Sequence, residues 1–144
     1  MKAMIPDDAK FYLSSLRALF LGILSLSLWV ALCHFAPVLL GPIFVAGVLV
    51  VCFTVGFLSV GRTRGTWQPA LVGFTRLVWS MVMAQSCASL AFSSAAVFDR
   101  YHVSLFAGHF LPVLGPALAG ATAGLLGGTI GLARLSRRKT QQVH

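Results

Sequence analysis

Four stretches of this chain, each about as long as a bilayer is thick, hold no Asp, Glu, Lys or Arg. They are residues 18–37 (ALFLGILSLSLWVALCHFAP), 38–60 (VLLGPIFVAGVLVVCFTVGFLSV), 77–98 (LVWSMVMAQSCASLAFSSAAVF) and 110–133 (FLPVLGPALAGATAGLLGGTIGLA). About 20 residues of helix cross a hydrocarbon core of ~30 Å. Lipid supplies no hydrogen-bond partner for open backbone groups, so each run is expected to be helical. Barrel strands would alternate polar and apolar residues over about ten positions, and these runs do not. The expected fold class is all-α: a single-domain integral membrane bundle of four transmembrane helices over residues 1–144. Composition agrees, since the chain is 58% hydrophobic and 10% charged, whereas a soluble domain is about one-quarter charged and less than half apolar.

The first two runs almost touch. Pro37, Gly41 and Pro42 fall between them, and Pro both ends one helix and begins the next. Two helical hairpins joined by a basic loop are expected.

Lys and Arg set the orientation of such a bundle. Lys2, Lys10 and Arg17 precede the first run; Arg62, Arg64 and Arg76 lie in the middle loop; Arg134, Arg137, Arg138 and Lys139 follow the last. Arg100 alone lies between the third and fourth runs. Both termini are therefore expected to be cytoplasmic, in a bacterial inner membrane or an equivalent organelle membrane. The first run has a basic start and a Cys, but its leader carries Asp7 and Asp8, and Leu32 before Cys33 breaks the strict lipobox. It is expected to remain as a span. The tail, residues 134–144, is polar and expected to be loose.

A net charge of +8 would suggest nucleic acid in a soluble protein. Here the basic residues flank apolar runs, so no nucleic-acid partner is expected. Arg62, Arg64, Arg76, Arg137 and Arg138 are candidates for contact with lipid headgroups or a cytoplasmic partner, beside their role in topology. Trp29, Trp67, Trp79, Tyr12 and Tyr101 fall mostly near run ends, where aromatic residues anchor.

The fourth run gives up its bulk. Gly120, Gly124 and Gly128 recur every four residues, and so do Gly115, Ala119, Ala123, Gly127 and Gly131. Positions four apart share a helix face, so two adjacent ridges are nearly bare. In lipid, close packing of small residues replaces the hydrophobic drive that joins helices in water. The partner could be another span of this chain, a second copy or a different protein. The third run carries Gln85, Ser89 and Ser93 at the same spacing, with Ser86 and Ser94 beside them. Such hydroxyls bond their own helix or a neighbour, or else line a polar path. Gln85 should have a partner, because a lone amide in hydrocarbon is costly.

Groups that carry chemistry are scarce. Ion-coupled carriers place an ionisable residue inside a span, which argues against a small multidrug exporter. No Ser–His–Asp set, H-E-x-x-H or phosphate-cradling glycine loop occurs. Cys33, Cys52 and Cys87 are spaced as small apolar residues rather than metal ligands. Asp99, His102 and His109 are too few for a metal site. No cofactor, no metal and no enzymatic activity are expected. The first functional expectation is a non-enzymatic accessory, assembly or scaffolding subunit of a larger membrane complex. The alternative is a small homo-oligomeric pore or transport protein, holin-like or viroporin-like. Its partners are the lipid bilayer together with other membrane subunits or copies of itself.

Overall fold

The computed structural model describes residues 7–36, 41–61, 69–99 and 111–141. They form four helices: α1 (Asp7–Phe35), α2 (Pro42–Ser59), α3 (Pro69–Asp99) and α4 (Leu111–Gln141). Three of them, α1, α2 and α4, are long and apolar enough to cross a membrane.

The helices outrun the apolar runs. α1 begins at Asp7, well ahead of Ala18, and α3 begins at Pro69 rather than Leu77. α4 carries on to Gln141, so the expectation of a loose tail is corrected over 134–141. The reason is local: Arg, Leu and Lys are good helix formers, and a helix in lipid does not stop where the lipid does. α2 has firm ends. Gly41 sits at φ 125°, Pro42 opens the helix, and Gly61 at φ 64° closes it with its N–H on the Leu58 carbonyl at 3.3 Å. Both positions need the φ freedom that glycine has. The turn residues 37–40 lie outside the described residues.

Contacts fix the topology. Ser15 meets Ser59 and Trp29 meets Phe44, so α1 and α2 are antiparallel. Gly120 faces Ala88 and Gly128 faces Ser80, so α3 and α4 are antiparallel too. Phe11 lies by Trp79 and Gly22 by Cys87, so α1 and α3 are parallel. α2 and α3 each touch all the other helices, whereas α1 and α4 do not touch among the described residues. The bundle is a diamond in section, with α2 and α3 across its waist.

Polar and apolar groups are distributed inside out. Ser15, Ser59 and Ser80 are fully buried, while Phe20 and Leu28 are 67% and 73% exposed. Water would penalise such a surface; a hydrocarbon solvent does not. The core holds Leu26, Phe44, Val48, Val55, Met83 and small residues. Hydroxyls and thiols stitch helices together there. Ser15 Oγ donates to the Ser59 carbonyl at 3.1 Å, and Ser80 Oγ donates to the Gly124 carbonyl at 3.2 Å. Cys52 Sγ donates to the Ala84 carbonyl at 3.3 Å.

Candidate functional site

The fourth helix is seated in the groove between α2 and α3. One glycine ridge faces α3: a Cβ on Gly120 would stand 2.6 Å from the Ala88 methyl, and one on Gly124 would stand 2.8 Å from the Ser80 carbonyl. Gly128 lies on Ser80 and Leu77. The second ridge faces α2. A Cβ on Gly127 would strike the Phe53 carbonyl, and one on Gly131 would meet the Phe57 carbonyl at 3.0 Å. Where the two faces meet, Gly56 of α2 lies directly on the backbone of Gly124. Both ridges therefore find partners within the chain. Ala123 is buried and Ala119 half-buried; they line a shallow groove with Leu49, Val50, Phe53, Thr122 and Leu126. Gly115 is exposed, and no described neighbour lies within 4 Å of a Cβ position on it.

The third helix presents two unlike faces. Its inner face carries Ser80, Met83, Ala84, Cys87, Ala88 and Ala91, all buried. Its outer face carries Gln85, Ser86, Ser89 and Ser93, all exposed. Gln85, Ser89 and Ser93 are thus brought together as one stripe, on the outside of the bundle. Other outward hydroxyls turn back onto their own helix. Ser25 reaches the Leu21 carbonyl at 2.7 Å, Thr54 reaches Val50 at 2.8 Å, and Ser86 reaches Val82 at 2.9 Å. Thr122 and Thr129 do the same on α4. The side chains of Gln85, Ser89 and Ser93 have no hydrogen-bond partner among the described residues. The Gln85 Cα borders the α4 contact, 3.3 Å from a Cβ position on Gly120, but its side chain is exposed and the partner expected for it is absent among the described residues.

The basic residues gather at one end. The Arg76 guanidinium lies 5.7 Å above the Phe11 ring and that of Arg134 lies 5.9 Å from the Phe57 ring, both cation–π contacts. Partial burial pulls Arg76 below its ordinary pKa, although a guanidinium stays charged at neutral pH. Tyr12 packs edge-on against Trp79 at 5.8 Å, at the same end. Trp79 buries its indole N–H without a partner among the described residues. Arg76 belongs to α3 and not to the loop, and Arg137 and Arg138 are exposed on α4. Arg62 and Arg64 lie outside the described residues, as do Trp67 and the whole segment 100–110 with Arg100, His102 and His109.

At the opposite end, Trp29 lies across Gly47 and donates to the Phe44 carbonyl at 3.2 Å. His34 is exposed at the end of α1, edge-on to Phe35. Among the described residues no three His, Cys, Asp or Glu side chains come together as metal ligands would. No family model, no curated protein and no solved structure matches this chain.

Proposed function

We propose that this protein is a non-enzymatic, multi-pass membrane subunit whose work is lateral assembly: an accessory, assembly or scaffolding component of a larger membrane complex. In this reading α3 is a fourth span. It lies between α1, α2 and α4 and meets α2 and α4 through Ala84 and Ser80, deep in the bundle. A helix packed on three spanning neighbours shares their depth. Both termini then face the cytoplasm of a bacterial inner membrane, or the equivalent compartment of an organelle, since the basic residues cluster at that end.

The observation that carries the reading is the stripe Gln85–Ser89–Ser93 on the outside of α3. An unpaired carboxamide turned toward lipid costs free energy, and a neighbouring protein removes that cost. Among the described residues the centre of the bundle is occupied by buried side chains such as Leu26, Val48, Val55 and Met83. The test is the native mass of the full chain in nanodiscs, with each co-purifying chain identified. Unlike chains in fixed ratio are expected; a bare monomer would sink the proposal.

The same stripe favours a second reading, a homo-oligomeric pore with α3 toward its axis. Replacing Gln85 by Leu would then change conductance in planar bilayers, and an unchanged conductance would exclude α3 as the lining.

A further inference from the structure

We infer that the outer face of α3 pairs with the same face of a second copy of this chain, and that the Gln85 carboxamides hydrogen-bond to each other across the two-fold axis. The inference deepens the assembly reading above and rests on it.

The first ground is chemical. A carboxamide has two N–H donors and an oxygen acceptor on one planar group. Two carboxamides facing each other satisfy one another with two reciprocal bonds, so Gln85 is its own complement. Lipid tails offer neither donors nor acceptors. A second copy inserted by the same charge rule has the same orientation, so it places its Gln85 at the same depth without further adjustment. A two-fold contact needs that self-complementarity, because the same patch meets itself.

The second ground is spacing. Val78, Val82, Gln85 and Ser89 are all exposed and follow one another at intervals of four, three and four residues. That is the seam of a left-handed helix pair, with 78 and 85, and 82 and 89, one heptad apart. A polar residue at one seam position fixes register and partner number in such pairs. Ser89 and Ser93, on the side of Gln85 away from the basic end, are small enough to let the two backbones approach. Val78 and Val82, on the other side, supply dry apolar contact.

The third ground is contrast within the molecule. The glycine ridges of α4, the other candidate for a lateral contact, are taken up by α2 and α3. The outward hydroxyls of α1, α2 and α4 are closed on their own carbonyls. The α3 stripe therefore stands apart on this surface, with polar groups that the described residues leave open.

The test uses the full chain with a C-terminal fluorophore in vesicles of phosphatidylcholine and phosphatidylglycerol. Energy transfer between donor- and acceptor-labelled copies is followed as protein density rises. The parent is expected to saturate as a dimer. Gln85→Leu is expected to need about tenfold higher density, the size expected for loss of one or two interhelical hydrogen bonds in lipid. Gln85→Asn, which keeps the carboxamide, is expected to lie between them. Transfer no greater than random proximity for the parent overturns the inference, and so does a Gln85→Leu curve that matches the parent. If unlike chains still co-purify in fixed ratio with a protein that does not self-associate, self-pairing fails and the assembly reading stands. A bare monomer in both measurements removes both.

Discussion

Gly127 and Gly115 occupy the same helix and the same four-residue ridge, yet one substitution should act on them very unequally. A methyl at Gly127 would strike the Phe53 carbonyl and press on the Phe57 N–H, both of them backbone. Backbone cannot rotate aside, so α2 and α4 must part; overpacking of this kind costs about 1–3 kcal/mol. Gly115 has no described neighbour within 4 Å of a Cβ position, and the helix propensity that Ala gains there is opposed by the Pro116 ring, which crowds a Cβ on the residue before it, so the net change should stay within ~0.5 kcal/mol. Unfolding of Gly127→Ala in a detergent micelle should therefore shift far more than that of Gly115→Ala. Equal shifts would mean that α2 does not lie on Gly127. The ridge itself is legible in the sequence, because spacing alone puts these residues on one face. Its end is not. Gly131 meets Phe57 and Gly127 meets Phe53; continuing that register brings Gly115 level with Gly41, where α2 begins. Spacing says where a helix is bare, and the length of the neighbour says where bareness is used.

Within α3, period is again visible in the sequence and direction is not. Gln85, Ser89 and Ser93 announce one face, but Ser80, Ala84 and Ala88 announce another of similar size. In water the more polar face would be the outer one. Lipid removes that contrast, so Ser80 can be buried and Ser89 exposed on one helix. Helix limits are illegible for a related reason: apolar length measures the span, and Pro69 and Gln141 lie beyond it. The two faces predict a separation of effects. Ala84→Leu pushes bulk into Gly124, whose Cβ position lies 2.5 Å from the Ala84 methyl, and should cost about 1–3 kcal/mol. Gln85 meets Gly120 through its backbone and leaves its side chain exposed, so Gln85→Leu should leave monomer unfolding within ~0.5 kcal/mol of the parent. Unfolding at micelle dilutions where the chain is monomeric measures both. A large loss for Gln85→Leu there would place the stripe inside the fold.

For the whole molecule, the up-down-up-down order puts the start of α1, the end of α2, the start of α3 and the end of α4 at one end of the diamond, and Lys10, Arg17, Arg76, Arg134, Arg137 and Arg138 go with them. The orientation proposed above rests on that charge, ten basic residues against Arg100. Cys33, Cys52 and Cys87 are buried, so an impermeant maleimide added from outside should find none of them, and single introduced cysteines report cleanly. Thr63→Cys and Ser136→Cys should label only after the membrane is opened, while Ser104→Cys should label in intact cells. If position 104 labels together with position 136, either α4 or the described order of helices is wrong. If positions 63 and 136 label from outside while 104 is shielded, the bundle survives and the charge rule fails for it. The pairing of α3 with a second copy needs only that both copies share one orientation, so it survives that reversal; it does not survive a population inserted both ways, because antiparallel copies set Val78 and Val82 opposite Ser93 and Ser89 and lose the valine-on-valine contact of the seam.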